Sequence, residues 1–186
     1  IRQGEVDIMF AGGSEAAVTE LSVAAFNAMH ALSTRNEDPA GASRPFDRDR
    51  DGFVLSEGAG IFIFEELGHA LKRGARIHAE VLGTGVNSDG GHITQPDDNG
   101  NYAAAAMRTC LEDAQITADS VDYINAHGTG TILGDIAETK AIKQVLGSHA
   151  RDVVISSTKS AIGHLLGASG GVELLATIMA MKQRTV

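Results

Sequence analysis

The sequence has one cysteine, three prolines, and fewer basic than acidic side chains, with 15 lysines and arginines against 24 aspartates and glutamates. A single thiol excludes an internal disulfide framework and a cysteine-rich zinc site, and points to a reducing compartment. A formal charge of −9 and an isoelectric point near 5.1 exclude the basic stripes that bind nucleic acid or anionic membrane surfaces. No apolar run approaches the ~20 residues that span a bilayer, and low-complexity segments are absent. The opening residues carry no targeting pattern and begin at Ile1, and the helical pattern at the far end stops at Thr185-Val186 without a cap, so the sequence reads as a piece of a longer chain.

What is present is the composition of an α/β enzyme. At 186 residues, 43% hydrophobic and 21% charged, with 22 glycines, the chain can bury a core and make many tight strand–helix turns. Two β-branched runs, Val121 to Ala126 and Val153 to Thr158, read as short buried strands, each followed by a small-residue loop and a helical pattern. Tandem strand–loop–helix units predict adjacent parallel strands whose ends lie side by side, where α/β folds bind ligands. His127 follows the first run and His164 the second, which predicts two imidazoles within about 10 Å of each other, able to share one substrate oxygen.

Upstream, Val6 to Ala11 is a strand candidate closed by Gly12-Gly13, and Glu15 to His30 has loose helical spacing. Ser33 to Asp51 carries alternating arginines and aspartates with two prolines, read as a long loop with a solvated face of mixed ion pairs. Gly58 to Glu66 reads as an apolar strand, His69 to Gly74 as a short helix with a glycine cap, and Ile77 to Gly85 as a strand with one wetter face. Gly74-Ala75 is the best seam between halves. Gly90 to Gly100 is rich in turn formers, and Tyr102 to Ala114 is an alanine-rich helix with Met107, Cys110 and Leu111 on its apolar stripe.

Several plainer readings compete for the two histidine loops. Gly128, Gly130 and Gly134 follow a strand, yet the third glycine is one residue late for a dinucleotide-binding turn, and no acidic residue ends the next strand. The seven histidines include no H-x-x-x-H pair and no carboxylate-rich neighbour, so a metal site is not indicated. Asp135-Ile136-Ala137-Glu138 has the form of a capping box, with Asp135 at the N-cap and Glu138 reaching back. Leu165 to Met181 is apolar or small on every face and reads as a buried helix with Glu173 as its single charge. Burying that carboxylate unpaired would cost several kcal/mol, so Lys159 is its expected partner, with Asp135 a possible third member.

The strings Asn125-Ala126-His127-Gly128-Thr129-Gly130-Thr131-x-x-Gly134-Asp135 and Ser157-Thr158-Lys159-Ser160-x-x-Gly163-His164-Leu165-Leu166-Gly167-Ala168-x-Gly170 resemble the β-ketoacyl-acyl carrier protein synthases, in their elongating type II form. The resemblance extends over Ala11-Gly12-Gly13-Ser14-Glu15, Ala31 to Asn36 and Arg44 to Val54. It implies an α/β, thiolase-like layered αβαβα fold, with residues 1–74 closing the N-terminal half and 75–186 forming most of the C-terminal half.

The resemblance further implies decarboxylative Claisen condensation of an acyl-enzyme with malonyl-acyl carrier protein in fatty-acid elongation. Under it, His127 and His164 are the active-site histidines, Lys159 orders the site, and Asp135 and Glu173 are supporting carboxylates. Thr129 and Thr131 contact the phosphopantetheine arm of acyl carrier protein, and no separate cofactor or metal is needed. The nucleophilic cysteine of that family has no counterpart in this chain, since Cys110 lies outside any family motif. A homodimer, acyl carrier protein and malonyl and acyl thioesters are the implied partners, with no nucleic acid or membrane, in a cytoplasm, mitochondrion or plastid. Alternatives of the same fold are a polyketide ketosynthase and a non-catalytic chain-length subunit.

Overall fold

A computed structural model describes residues 1–186 as a mixed α/β chain. Its main elements are β1 (Ile8–Glu15), α1 (Glu20–Ala28), β2 (Gly58–Glu65), α2 (Leu67–Lys72), α3 (Asn101–Ala114), β3 (Tyr123–Asn125), α4 (Ile132–Leu146), β4 (Val154–Ser156), α5 (Lys159–Ile162) and α6 (Ser169–Gln183). They divide into two compact units: Ile1–Val18 with Ser56–Val81 and Leu165–Val186, and Thr19–Leu55 with Leu82–His164.

In the first unit β1 and β2 pair antiparallel along their full length, from Ile8 opposite Glu65 to Glu15 opposite Gly58. Gly12 and Gly13 do not end the strand as expected. They are close-approach residues: a Cβ on Gly12 would lie 1.9 Å from the Gly60 carbonyl oxygen, and one on Gly13 would lie 2.0 Å from that of Gly167. Gly60 meets the Gly171 backbone in the same way, so α6 rests by its first turn on a seam without side chains. Along the rest of α6 the first unit covers one side only. Two strands ~5 Å apart are narrower than a helix ~10 Å across, so they cover one side of it, and Leu175 and Met181 stay 51% and 61% exposed. On the other face of the hairpin Phe10, Ile61 and Ile63 are exposed as well.

In the second unit β3 and β4 are adjacent and parallel, Tyr123 opposite Val154 and Asn125 opposite Ser156, with α4 as the crossover. Ile142 and Leu146 of α4 and Val153 form the core beneath them. Gly100 takes the left-handed conformation (φ +69°) at the start of α3, and a Cβ there would lie 2.2 Å from the Ala137 carbonyl oxygen of α4. Ile77 to Gly85 pairs with no other strand among these residues. Gly85 lies against Ala106 and Gly83 against Cys110 and Ala114, backbone on α3.

Ser33 to Asp51 is irregular apart from a single 3₁₀ turn at Pro39–Gly41, but it is not merely a solvated face. The side chains of Arg44 and Arg50 are only 16% and 12% exposed. Arg44 bonds the Asp51 carboxylate and the Asp49 and Gly41 carbonyls, and Asp51 in turn holds Ser33 and Thr34. Internal pairing folds this loop inward, which its alternating charges alone do not reveal.

Candidate active site

β3 delivers the chain to His127, and the loop that follows uses nearly all its polar backbone groups. Gly128 and Gly130 have φ of +36° and +82°, which a side chain would resist. The Glu138 carboxylate accepts from the amides of His127 at 2.7 Å and Gly128 at 2.8 Å. Asp135, 2% exposed, accepts from Gly130 N at 3.2 Å and Phe46 N at 2.7 Å, and Arg50 stands 3.5 Å away. Arg50 also donates to the carbonyls of Thr131 and Ile132, Gly52 N to the Gly130 carbonyl, and Ser157 Oγ to the Gly128 carbonyl. A loop fixed at so many points holds the His127 imidazole in place while leaving it exposed.

The second histidine arrives from β4 by way of α5 and Gly163 (φ +74°). Its amide donates to the Val54 carbonyl at 2.7 Å, and it pairs with Leu55 in a short parallel bridge. The His164 ring packs edge-on against Phe53 at 5.1 Å, and Phe53 against Phe26 at 5.3 Å. The centroids of His127 and His164 lie 5.4 Å apart with the rings nearly perpendicular, at 87°. Burial, then the charges of His127 and Lys159, push His164 down to a pKa of about 4, so it is neutral at physiological pH. Lys159 is 1% exposed at the start of α5, and Ser43 Oγ donates to its carbonyl. Burial raises the Glu138 carboxyl above its ordinary value against the two amides it accepts from, and the Lys159 charge acts on it in the lowering direction.

Both histidines line a cavity of about 860 Å³, together with Thr129, Thr131, Phe26 and Phe53. The two threonine hydroxyls are bonded to each other at 3.0 Å. An imidazole offers at least one N–H donor, so the pair can direct two donors at one oxygen that gains negative charge. No three His, Cys, Asp or Glu side chains come together in a metal-holding arrangement.

Residues 78–186 match the family described as β-ketoacyl synthase, C-terminal domain, and residues 1–70 match β-ketoacyl synthase, N-terminal domain. The chain belongs to the β-ketoacyl synthase family. It is 51% identical to 3-oxoacyl-[acyl-carrier-protein] synthase 2 of Vibrio cholerae over its whole length and 45% of that protein. It is also 51% identical to the chloroplastic 3-oxoacyl-[acyl-carrier-protein] synthase I of Arabidopsis thaliana, over 97% of this chain and 38% of the relative. Among solved structures it resembles a type II polyketide ketosynthase in complex with its acyl carrier protein, with a TM-score of 0.94 and 44% identity over 98% of this chain and 45% of that one. The fold is thus the thiolase-like fold of the ketosynthases, and the chain spans about half the length of the curated relatives it matches.

Within this β-ketoacyl synthase chain the second unit unites His127, His164, Thr129 and Thr131 at one cavity, with buried Lys159 and Asp135 behind them. Glu173 is half-buried on α6, in the first unit. The capping-box reading of Asp135 and Glu138 is corrected. The N-cap of α4 is Thr131, which places Asp135 and Glu138 in the first two turns, where both carboxylates face back onto the histidine loop. Three contributions escaped the sequence reading: Glu138 as the anchor of His127, Arg50 as the anchor of Asp135, and the cavity wall formed by residues between Asp89 and Asp97. Only the Arg44 to Val54 string hinted at the second.

Proposed function

We propose that this chain is part of a 3-oxoacyl-acyl carrier protein synthase, a condensing acyltransferase of fatty-acid elongation. The observation that carries this reading is the perpendicular imidazole pair 5.4 Å apart on the cavity wall, with His164 held neutral. When a malonyl thioester loses carbon dioxide, its C–C electron pair passes into an enolate with charge on the thioester oxygen. Two N–H donors aimed at that oxygen, each worth roughly 3 kcal/mol in a dry site, favour that step. The enolate carbon then attacks an acyl thioester on a cysteine: a C–C bond forms, the C–S bond breaks, and the thiolate leaves and takes a proton.

In this reading His127 and His164 are the donors, Lys159 orders them, Asp135 and Glu173 support the site, and Thr129 and Thr131 hold the phosphopantetheine arm. The nucleophilic cysteine belongs to the part of the full-length protein outside these residues. Cys110 does not fit that role, since Met107 of α3 faces the cavity and Cys110 is not part of the wall. Acyl carrier protein and malonyl and acyl thioesters are the substrates and partners, with no separate cofactor, and the full-length protein is a homodimer. Residues 1–74 then end the N-terminal half and 75–186 belong to the C-terminal half, a division supported by the two domain matches. The protein acts in a cytoplasm or, as the chloroplastic relative allows, in an organelle; no helix of the chain is long and apolar enough to cross a membrane. The resemblance to a type II polyketide ketosynthase favours polyketide condensation as the second reading, and a chain-length subunit of the same fold as the third.

The test is turnover by the full-length protein. Given a saturated acyl-acyl carrier protein and malonyl-acyl carrier protein, it should release one carbon dioxide per 3-oxoacyl product, with Cys110→Ser as active as wild type. Failure to condense saturated acyl chains, or an acyl adduct on Cys110, overturns the reading.

A further inference from the structure

The cavity wall between Asp89 and Asp97 is shaped by bonds within its own segment. Asn87 Nδ2 donates to the Tyr102 carbonyl at 3.1 Å, closing the neck of the loop, and Asp97 N donates to Asp89 at 2.7 Å. His92 Nδ1 accepts from Thr94 N at 3.1 Å and Gln95 N at 2.9 Å. The Asn87 bond ties the neck to α3, while the others lie within the segment and fix its shape. On its entry side the backbone at Gly90 and Gly91 is open, with nothing within 4 Å of where a Cβ would sit.

Its exit is held by α4. Lys140 Nζ donates to the Asp98 carbonyl at 2.6 Å and Gln144 Nε2 to the Asn99 carbonyl at 2.7 Å. Four residues apart, they share one face of the helix. Beside them Ala137 and Ala141 allow the Gly100 backbone to press against α4. The first turns of the same helix grip the histidine loop through Asp135 and Glu138.

We propose that Lys140 and Gln144 are positioning residues that set the width of the substrate cavity by clamping the wall 92–97 to the helix that also carries the His127 loop. Neither touches the reacting atoms. Their effect falls on admission of the carrier-bound thioester between this wall and Thr129 and Thr131, a consequence that rests on the function proposed above.

The experiment compares the full-length wild type with the double variant Lys140→Met/Gln144→Met and the conservative Lys140→Arg, which keeps a donor. Loss of two hydrogen bonds should speed amide exchange across residues 92–100 by about tenfold or more, while β3, β4 and residues 127–131 keep their protection. KM for malonyl-acyl carrier protein should rise several-fold with kcat little changed, and Lys140→Arg should behave as wild type. Unchanged exchange at 92–100, equal acceleration throughout the second unit, or a loss confined to kcat each overturns the proposal. Exchange needs no turnover, so it judges the clamp even if the full-length protein does not condense; that result would count against the function alone.

Discussion

His164 is the residue where burial and chemistry are most tightly joined. Its imidazole is pushed from an ordinary 6.5 to about 4 by desolvation first and by His127 and Lys159 after that. Between those values the unfolded chain binds a proton there that the folded chain does not, so this group's contribution to stability rises with pH across the window and is lost as pH falls from 6.5 toward 4. Nitrogen-resolved NMR of the full-length protein should find an imidazole titrating near 4 that vanishes in His164→Asn, whose acid stability should fall less steeply over that range. A His164 titration near 6.5 would contradict the argument. Both histidines were legible in the sequence because each follows a β-branched run and stands beside glycines. Glu138 was not: its spacing from Asp135 fits a helix cap, and only the turn of the loop back over α4 shows that its carboxylate serves the His127 and Gly128 amides.

At the scale of elements, the strands and helices were read well where periodicity decides and poorly where glycine does. Gly12 and Gly13 read as a stop, yet β1 continues through them, because glycine in a strand also marks the approach of another backbone. Gly83 and Gly85 act likewise where the chain lies on α3, each bringing its backbone against that helix. The loop between β3 and α4 is the element whose glycines bear most directly on the site. At Gly128 φ is +36°, and an added Cβ would lie 2.6 Å from the Ser157 Cβ and 2.9 Å from the Phe46 ring. Gly128→Ala should therefore destabilise the full-length protein by about 2 kcal/mol or more and displace His127. Denaturant unfolding together with malonyl decarboxylation measures both effects, and a wild-type midpoint with wild-type decarboxylation would show that the loop tolerates the change.

For the whole molecule, the α/β class and the parallel pairing of β3 with β4 follow from the order of periodic runs, and both stand in the structure. The grouping of residues 1–18 with 56–81 and 165–186 does not follow from it, since the first two stretches meet by an antiparallel ladder and the third joins them at a glycine seam, and neither pairing is set by chain order. The cavity has the same character: its histidine side was visible in the motifs, while its other wall comes from a turn-rich stretch that carries no motif. The central claim is that the His127 and His164 imidazoles, with His164 neutral, stabilise the enolate and take no necessary part in loading the acyl group. It is tested most directly by measuring the two half-reactions separately in the full-length His164→Ala variant, with labelled acyl transfer to the enzyme reporting one and carbon dioxide release from malonyl-acyl carrier protein the other. The account predicts near-normal acyl transfer with carbon dioxide release reduced by about a hundredfold or more. Equal loss of both steps, or carbon dioxide release at the wild-type rate, would contradict it.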